Sequence, residues 1–130
     1  MPFTTSKGLT ALLLALVLVP IAAHAHGSTQ PQHGGQVQLV GETVLEFVVH
    51  EKGVQLFVKE EDEEIDSSGM LAKLIITTRD GVRSELQLAA AGGNRFEAKG
   101  ARIPAGSTVG VMLINKATQA RVAATFKVSE

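Results

Sequence analysis

Thr43-Val-Leu-Glu-Phe-Val-Val-His50-Glu-Lys-Gly53-Val-Gln-Leu-Phe-Val-Lys59 is the stretch whose reading decides the fold. Leu45, Phe47 and Val49 fall on one side of an extended chain, with Val44, Glu46, Val48 and His50 on the other, a period of two rather than 3.6. Glu51-Lys52-Gly53 interrupts the run with turn residues, and residues 54–59 return with the same alternation, so 43–59 reads as a β-hairpin.

Working outward, the same grammar recurs on both sides. Upstream, Val37 and Leu39 alternate with Gln36 and Gln38. Downstream, residues 71–78 and 82–88 flank the turn Arg79-Asp80-Gly81 and predict a second hairpin, with Glu85 and Gln87 facing solvent. Ala91-Gly92-Gly93-Asn94 turns the chain into a strand over 95–99. Pro104-Ala-Gly-Ser107 precedes another at 108–115, and residues 120–128 close the chain. No segment after residue 25 has a helical period. Seven to nine short strands with turns every 8 to 12 residues predict an all-β, immunoglobulin-like antiparallel β-sandwich. Its expected core is Leu45, Phe47, Leu56, Leu74, Ile76, Leu86, Leu88, Phe96, Val111, Leu113, Val122, Ala124 and Phe126.

The first 25 residues belong to a different class. Lys7 supplies a positive start, residues 9–19 are almost unbroken Leu, Ala and Val, Pro20 ends the run, and Ala23-His24-Ala25 is a small-x-small cleavage site. The apolar run is short for a membrane span. The expectation is a cleaved signal peptide over 1–25, then a flexible His/Gly leader over 26–35 and a β-sandwich domain over 36–130, exported to the periplasm as a soluble protein with no membrane insertion.

Composition narrows the function. The chain has no cysteine, which removes disulfides, thiolate metal sites and a cysteine nucleophile. Lys7 is the only charge lost with the signal, so the mature chain keeps 13 acidic side chains against one fewer than the 12 basic ones of the full sequence. A slightly acidic surface with no Trp and no Tyr gives no footing for nucleic acid. No Gly-x-Ser-x-Gly elbow, His-Glu-x-x-His pair or Gly-rich phosphate loop is present, so the chain reads as a non-enzyme.

The chemistry that remains is metal chemistry. Imidazole is largely neutral at pH 7 and is a common ligand for Zn, Cu and Ni. Cleavage after Ala25 would make His26 the first residue, offering its α-amine and its imidazole to one ion. His33 follows seven residues later on a Gly-rich segment, and His50 ends a strand. These three are the candidate metal residues, for a transition metal ion such as Cu or Zn. The run Glu60-Glu61-Asp62-Glu63-Glu64 lacks the alternating spacing and internal Gly of a calcium loop and reads as a solvated acidic loop. Met112 reads as packing; Met70, at a strand start, is the better thioether candidate, but two distant methionines make no copper motif.

The order of features also resembles a group of small exported β-sandwich proteins associated with heavy-metal efflux. The resemblance is carried by His33-Gly34-Gly35, the strand with Glu46, Gly53-Val-Gln-Leu-Phe-Val-Lys59, Asp66-Ser-Ser-Gly69, Lys73, the strand with Leu86 and Leu88, Gly93-Asn94-Arg95-Phe96 and Ala120-Arg121-Val-Ala-Ala-Thr-Phe126. A similar His-Gly-Gly opening occurs near the start of some metal-efflux periplasmic adaptor subunits. What the resemblance implies is an immunoglobulin-like sandwich, a role near Zn, Co, Cd or Cu export with His33 as its metal residue, and a metal-efflux adaptor protein as partner. The chain is also similar to periplasmic copper-resistance chaperones in beginning its mature form with His, although no histidine follows His50 to match their later ligands. The expectation is a periplasmic metal-binding or metal-delivery accessory protein linked to heavy-metal efflux or resistance; the alternative is a metal-independent periplasmic interaction domain that docks on an efflux adaptor or another envelope protein.

Overall fold

The structure is a computed structural model and describes residues 29–129; the expected signal peptide and His26 lie outside the described residues. The described residues form nine strands and one 3₁₀ turn. In chain order these are β1 (Gln36–Val40), β2 (Thr43–His50), β3 (Gly53–Glu60), β4 (Glu63–Glu64), the 3₁₀ turn (Ser67–Gly69), β5 (Met70–Thr77), β6 (Arg83–Ala90), β7 (Arg95–Lys99), β8 (Thr108–Asn115) and β9 (Arg121–Lys127). All pairings are antiparallel.

Strand order is β1-β2-β3-β7-β6-β5-β8-β9, with β4 added to the end of β3. One sheet carries β1-β2-β3-β7 and the other β6-β5-β8-β9. They are joined on one side by Ala89 and Ala90 of β6, which pair with β7. The immunoglobulin arrangement sets strands A, B and E beside one another in one sheet and G, F, C and C′ in the other. Here β2, β3 and β7 fill the first set and β9, β8, β5 and β6 the second, so the architecture is immunoglobulin-like and β1 is an addition at its edge. At the far side β1 and β9 approach without a ladder; the Gln36 side-chain amide donates to the Lys127 carbonyl at 2.8 Å.

The core lies between the sheets because alternate residues of each strand point inward. Leu45, Phe47, Leu56, Leu74, Ile76, Leu88, Phe96, Val111, Leu113 and Phe126 are buried as expected, and Leu86, Val122 and Ala124 pack against them half-buried. The Phe47 and Phe126 rings meet across the sandwich with centroids 5.3 Å apart. Val54, Val58, Ala72, Ile103 and Val109 complete the cluster.

Two local features differ from the expectation. The acidic stretch is a tight hairpin, not an open loop: Glu60 faces Glu63, and Glu61 and Asp62 both take left-handed φ values of 49° and 67°. That is the backbone of a type I′ turn, whose twist matches that of the flanking strands. The second is β2, buried on both faces, with Val44, Glu46 and Val48 each under 9 % exposed on the side away from the core. An outward face of a sandwich strand is ordinarily wet, so something covers it.

Candidate functional site

The cover is the leader itself, held by one carboxylate. Glu46 lies in the middle of β2, opposite Val37 of β1 and Phe57 of β3, and points away from the core. It accepts four hydrogen bonds from residues 32–35. The backbone N–H of Gln32 donates to Oε1 at 3.0 Å, those of His33 and Gly35 to Oε2 at 2.8 and 2.9 Å, and the His33 ring approaches Oε1 through Nδ1 at 3.0 Å. Residues 32–35 thus do not hang free as a flexible leader; they are strapped to the sheet by an acceptor that lies in the domain.

Each residue of the strap has a physical reason to be what it is. Gly34 sits at φ 75°, where glycine alone is unstrained, and bends successive N–H groups toward one point. Gly35 runs so close to β2 that a Cβ there would stand 2.5 Å from the Phe47 carbonyl and 2.7 Å from a Val48 methyl. The His33 ring lies flat on Phe57, centroids 3.5 Å apart and planes within 3°. Lys59 donates from Nζ to the Gln32 side-chain oxygen at 2.9 Å and fastens the start of the strap to β3. The cleft left between strap and sheet amounts to about 20 Å³, room for roughly one water molecule and not for an organic ligand.

Electrostatics follow from this geometry. Burial is the largest single influence on Glu46 and pushes its carboxyl up. The N–H groups of Gln32 and Gly35, the His33 ring and the His33 N–H together outweigh burial and hold it below the ordinary value of 4.5. Glu46 is therefore ionised at neutral pH. An ionised carboxylate only accepts, so the His33 nitrogen facing it must carry the proton. In the neutral imidazole the lone pair then resides on Nε2, and the His33 side chain is 40 % exposed. A carboxylate that fixes the tautomer and orientation of a histidine is the usual outer partner of a metal-ligating imidazole.

The other candidates are placed elsewhere. His50 lies four residues further along β2, about 13 Å from Glu46 at strand spacing. Its Nδ1 accepts the Lys52 N–H at 3.2 Å, and it stands beside Gly53 and Lys99 rather than beside His33. Met70 packs against the core and Met112 sits half-buried on the outer face of β8. Among the described residues no three His, Cys, Asp or Glu side chains gather as a metal centre.

Glu46 and Phe57 are the site residues that pattern reading passed over. The available signal was a lone carboxylate inside Val-Leu-Glu-Phe-Val-Val, flanked two residues away on its own face by Val44 and Val48. Comparison with protein-family models, with curated proteins and with solved structures gives no match for this chain.

Proposed function

We propose that the protein is a periplasmic metal-binding accessory module, in the service of heavy-metal efflux or resistance, that presents one pre-oriented imidazole. The observation that carries this reading is the Glu46–His33 contact, which sets Nδ1–H inward and the Nε2 lone pair on a half-exposed ring. His26, seven residues upstream, is the natural source of further ligands once the chain begins there, because its amine and imidazole can close on the same ion. His50 is left out of the site by its position on the strand. Cu²⁺ suits a nitrogen-only ligand set best, with Zn²⁺ behind it.

Calorimetric titration of the exported protein with Cu²⁺ and Zn²⁺ tests the reading. His33→Ala and His26→Ala should each weaken Cu²⁺ binding by at least about tenfold, while His50→Ala should leave it unchanged. Binding should weaken as pH falls, since protons compete for both imidazoles and the amine. If His33→Ala binds as well as the parent, the reading fails.

A second reading has its own support in the clasp. His33, Gly34 and Gly35 are each accounted for by holding the strap on β2 and β3, which needs no ion. The chain would then be a metal-independent interaction domain of the envelope, docking on an efflux adaptor or similar protein, and full retention of partner binding in the presence of a chelator would favour it.

A further inference from the structure

The sandwich has two outer faces, and the described residues cover one of them. The strap lies over β1-β2-β3; nothing among the described residues lies over β6-β5-β8-β9. Yet β5 and β8 carry apolar residues on both sides, as strands buried on both faces do. Inward go Ala72, Leu74 and Ile76 with Val109, Val111 and Leu113; outward go Leu71 and Ile75 with Met112 and Ile114. In the ladder Leu71 pairs with Ile114, Ile75 with Gly110, and Lys73, which stands between Leu71 and Ile75, with Met112; Met112 pairs in turn with Ala123 of β9. Leu71 is 42 % exposed, and Ile75, Met112 and Ile114 are half-buried.

In the middle of this face stands Gly110. Its backbone is ordinary strand, and a Cβ built on it would meet nothing nearer than Ile75 at 3.8 Å, a normal contact. Nothing among the described residues therefore requires a glycine there. A glycine inside a strand with no bulge or bend often marks a place where something else comes close. Two residues along the same strand Met112 rises beside the notch, a flexible side chain suited to filling one.

We infer that this face is a self-association surface and that its occupant is a second copy of the chain, related by a two-fold axis running across the strands. Such an axis, placed between the levels of Gly110 and Met112, sets Met112 of each copy over the Gly110 notch of the other. The charges agree with that choice. Lys73, between Leu71 and Ile75 on β5, and Glu85, opposite Ile75 on β6, stand 3.6 Å apart, both well exposed. A copy turned about this axis brings its Glu85 toward Lys73 and its Lys73 toward Glu85. A partner of a single charge sign would be repelled by one of the two. Symmetric pairs of this kind are the commonest assemblies of soluble proteins.

Sedimentation equilibrium of the exported protein over a concentration series decides the matter. Running it in a chelator separates it from the metal reading, because this association needs no ion. The expected result is a monomer–dimer equilibrium. Met112→Arg and Gly110→Val should each raise the dimer dissociation constant at least about tenfold. Gly110→Val keeps the test valid if Met112→Arg disturbs the fold, since its Cβ meets no clash. Lys73→Glu should weaken the dimer and the swap Lys73→Glu with Glu85→Lys should restore it. A monomer at every concentration up to about 1 mM, or a dimer indifferent to Gly110→Val, overturns the inference.

Discussion

Glu46 concentrates in one side chain what the strap needs: three main-chain donors and one imidazole converge on it. Glu46→Gln keeps the shape but turns one acceptor oxygen into a donor that faces donors. The loss should be about 1–3 kcal/mol, the range for leaving buried polar groups unpaired, read from denaturant unfolding. The pH dependence has a definite sign. Unfolded, this carboxyl titrates near 4.5, and folded it titrates lower. Its contribution is therefore complete above about pH 5 and disappears as pH falls through the folded value. Hydrogen exchange at the Gln32, His33 and Gly35 amides should accelerate over that acid range in the parent beyond the intrinsic pH trend. Glu46→Gln should show fast exchange at every pH; equal protection in both proteins would mean that Glu46 does not hold the strap. His33-Gly34-Gly35 was visible in the sequence as a motif, but its partner was not. Glu46 stands 13 positions beyond His33, and strict alternation places it outward, where a carboxylate normally meets water.

At the level of elements, hairpins and inward faces were legible because they are local. Alternation gave the two sides of β2 and β3, and Gly- and Asp-bearing turns gave their ends. Phe47→Ala and Phe126→Ala should each cost about 3–5 kcal/mol, since both rings are fully buried and touch across the sheets. Glu63→Gln, on the exposed β4, should change stability by less than about 0.5 kcal/mol. Equal losses at the two kinds of site would contradict the packing described. The acidic hairpin escapes local pattern because Glu61 is an unusual residue for left-handed backbone, and so many adjacent charges read as a solvated loop.

For the molecule as a whole, the alternation bounds the strands at seven to nine without settling on the nine that form, and it says nothing of which strands are neighbours. The β3–β7 and β5–β8 pairs join segments separated by other strands, and nothing in local pattern says which strand crosses to which sheet. Burial of Val44 and Val48 is likewise a property of the assembled domain, since it depends on a segment that carries no strand pattern of its own. A protein beginning at Gln36 should therefore be less stable than one beginning at Thr29, and should bind a hydrophobic dye that the longer form does not. Identical melting curves and dye signals would show the strap to be dispensable. The Gln36–Lys127 contact carries a different consequence. Because Gly34, Gly35, Val128 and Ser129 line one groove, the strap and the end of β9 lie side by side. A few glycines could join them, and the chain could be reopened at the exposed Glu51-Lys52 turn. The resulting circular permutant should keep every strand neighbour while its two sheets are entered in a new order, so that the route of folding changes and its destination does not.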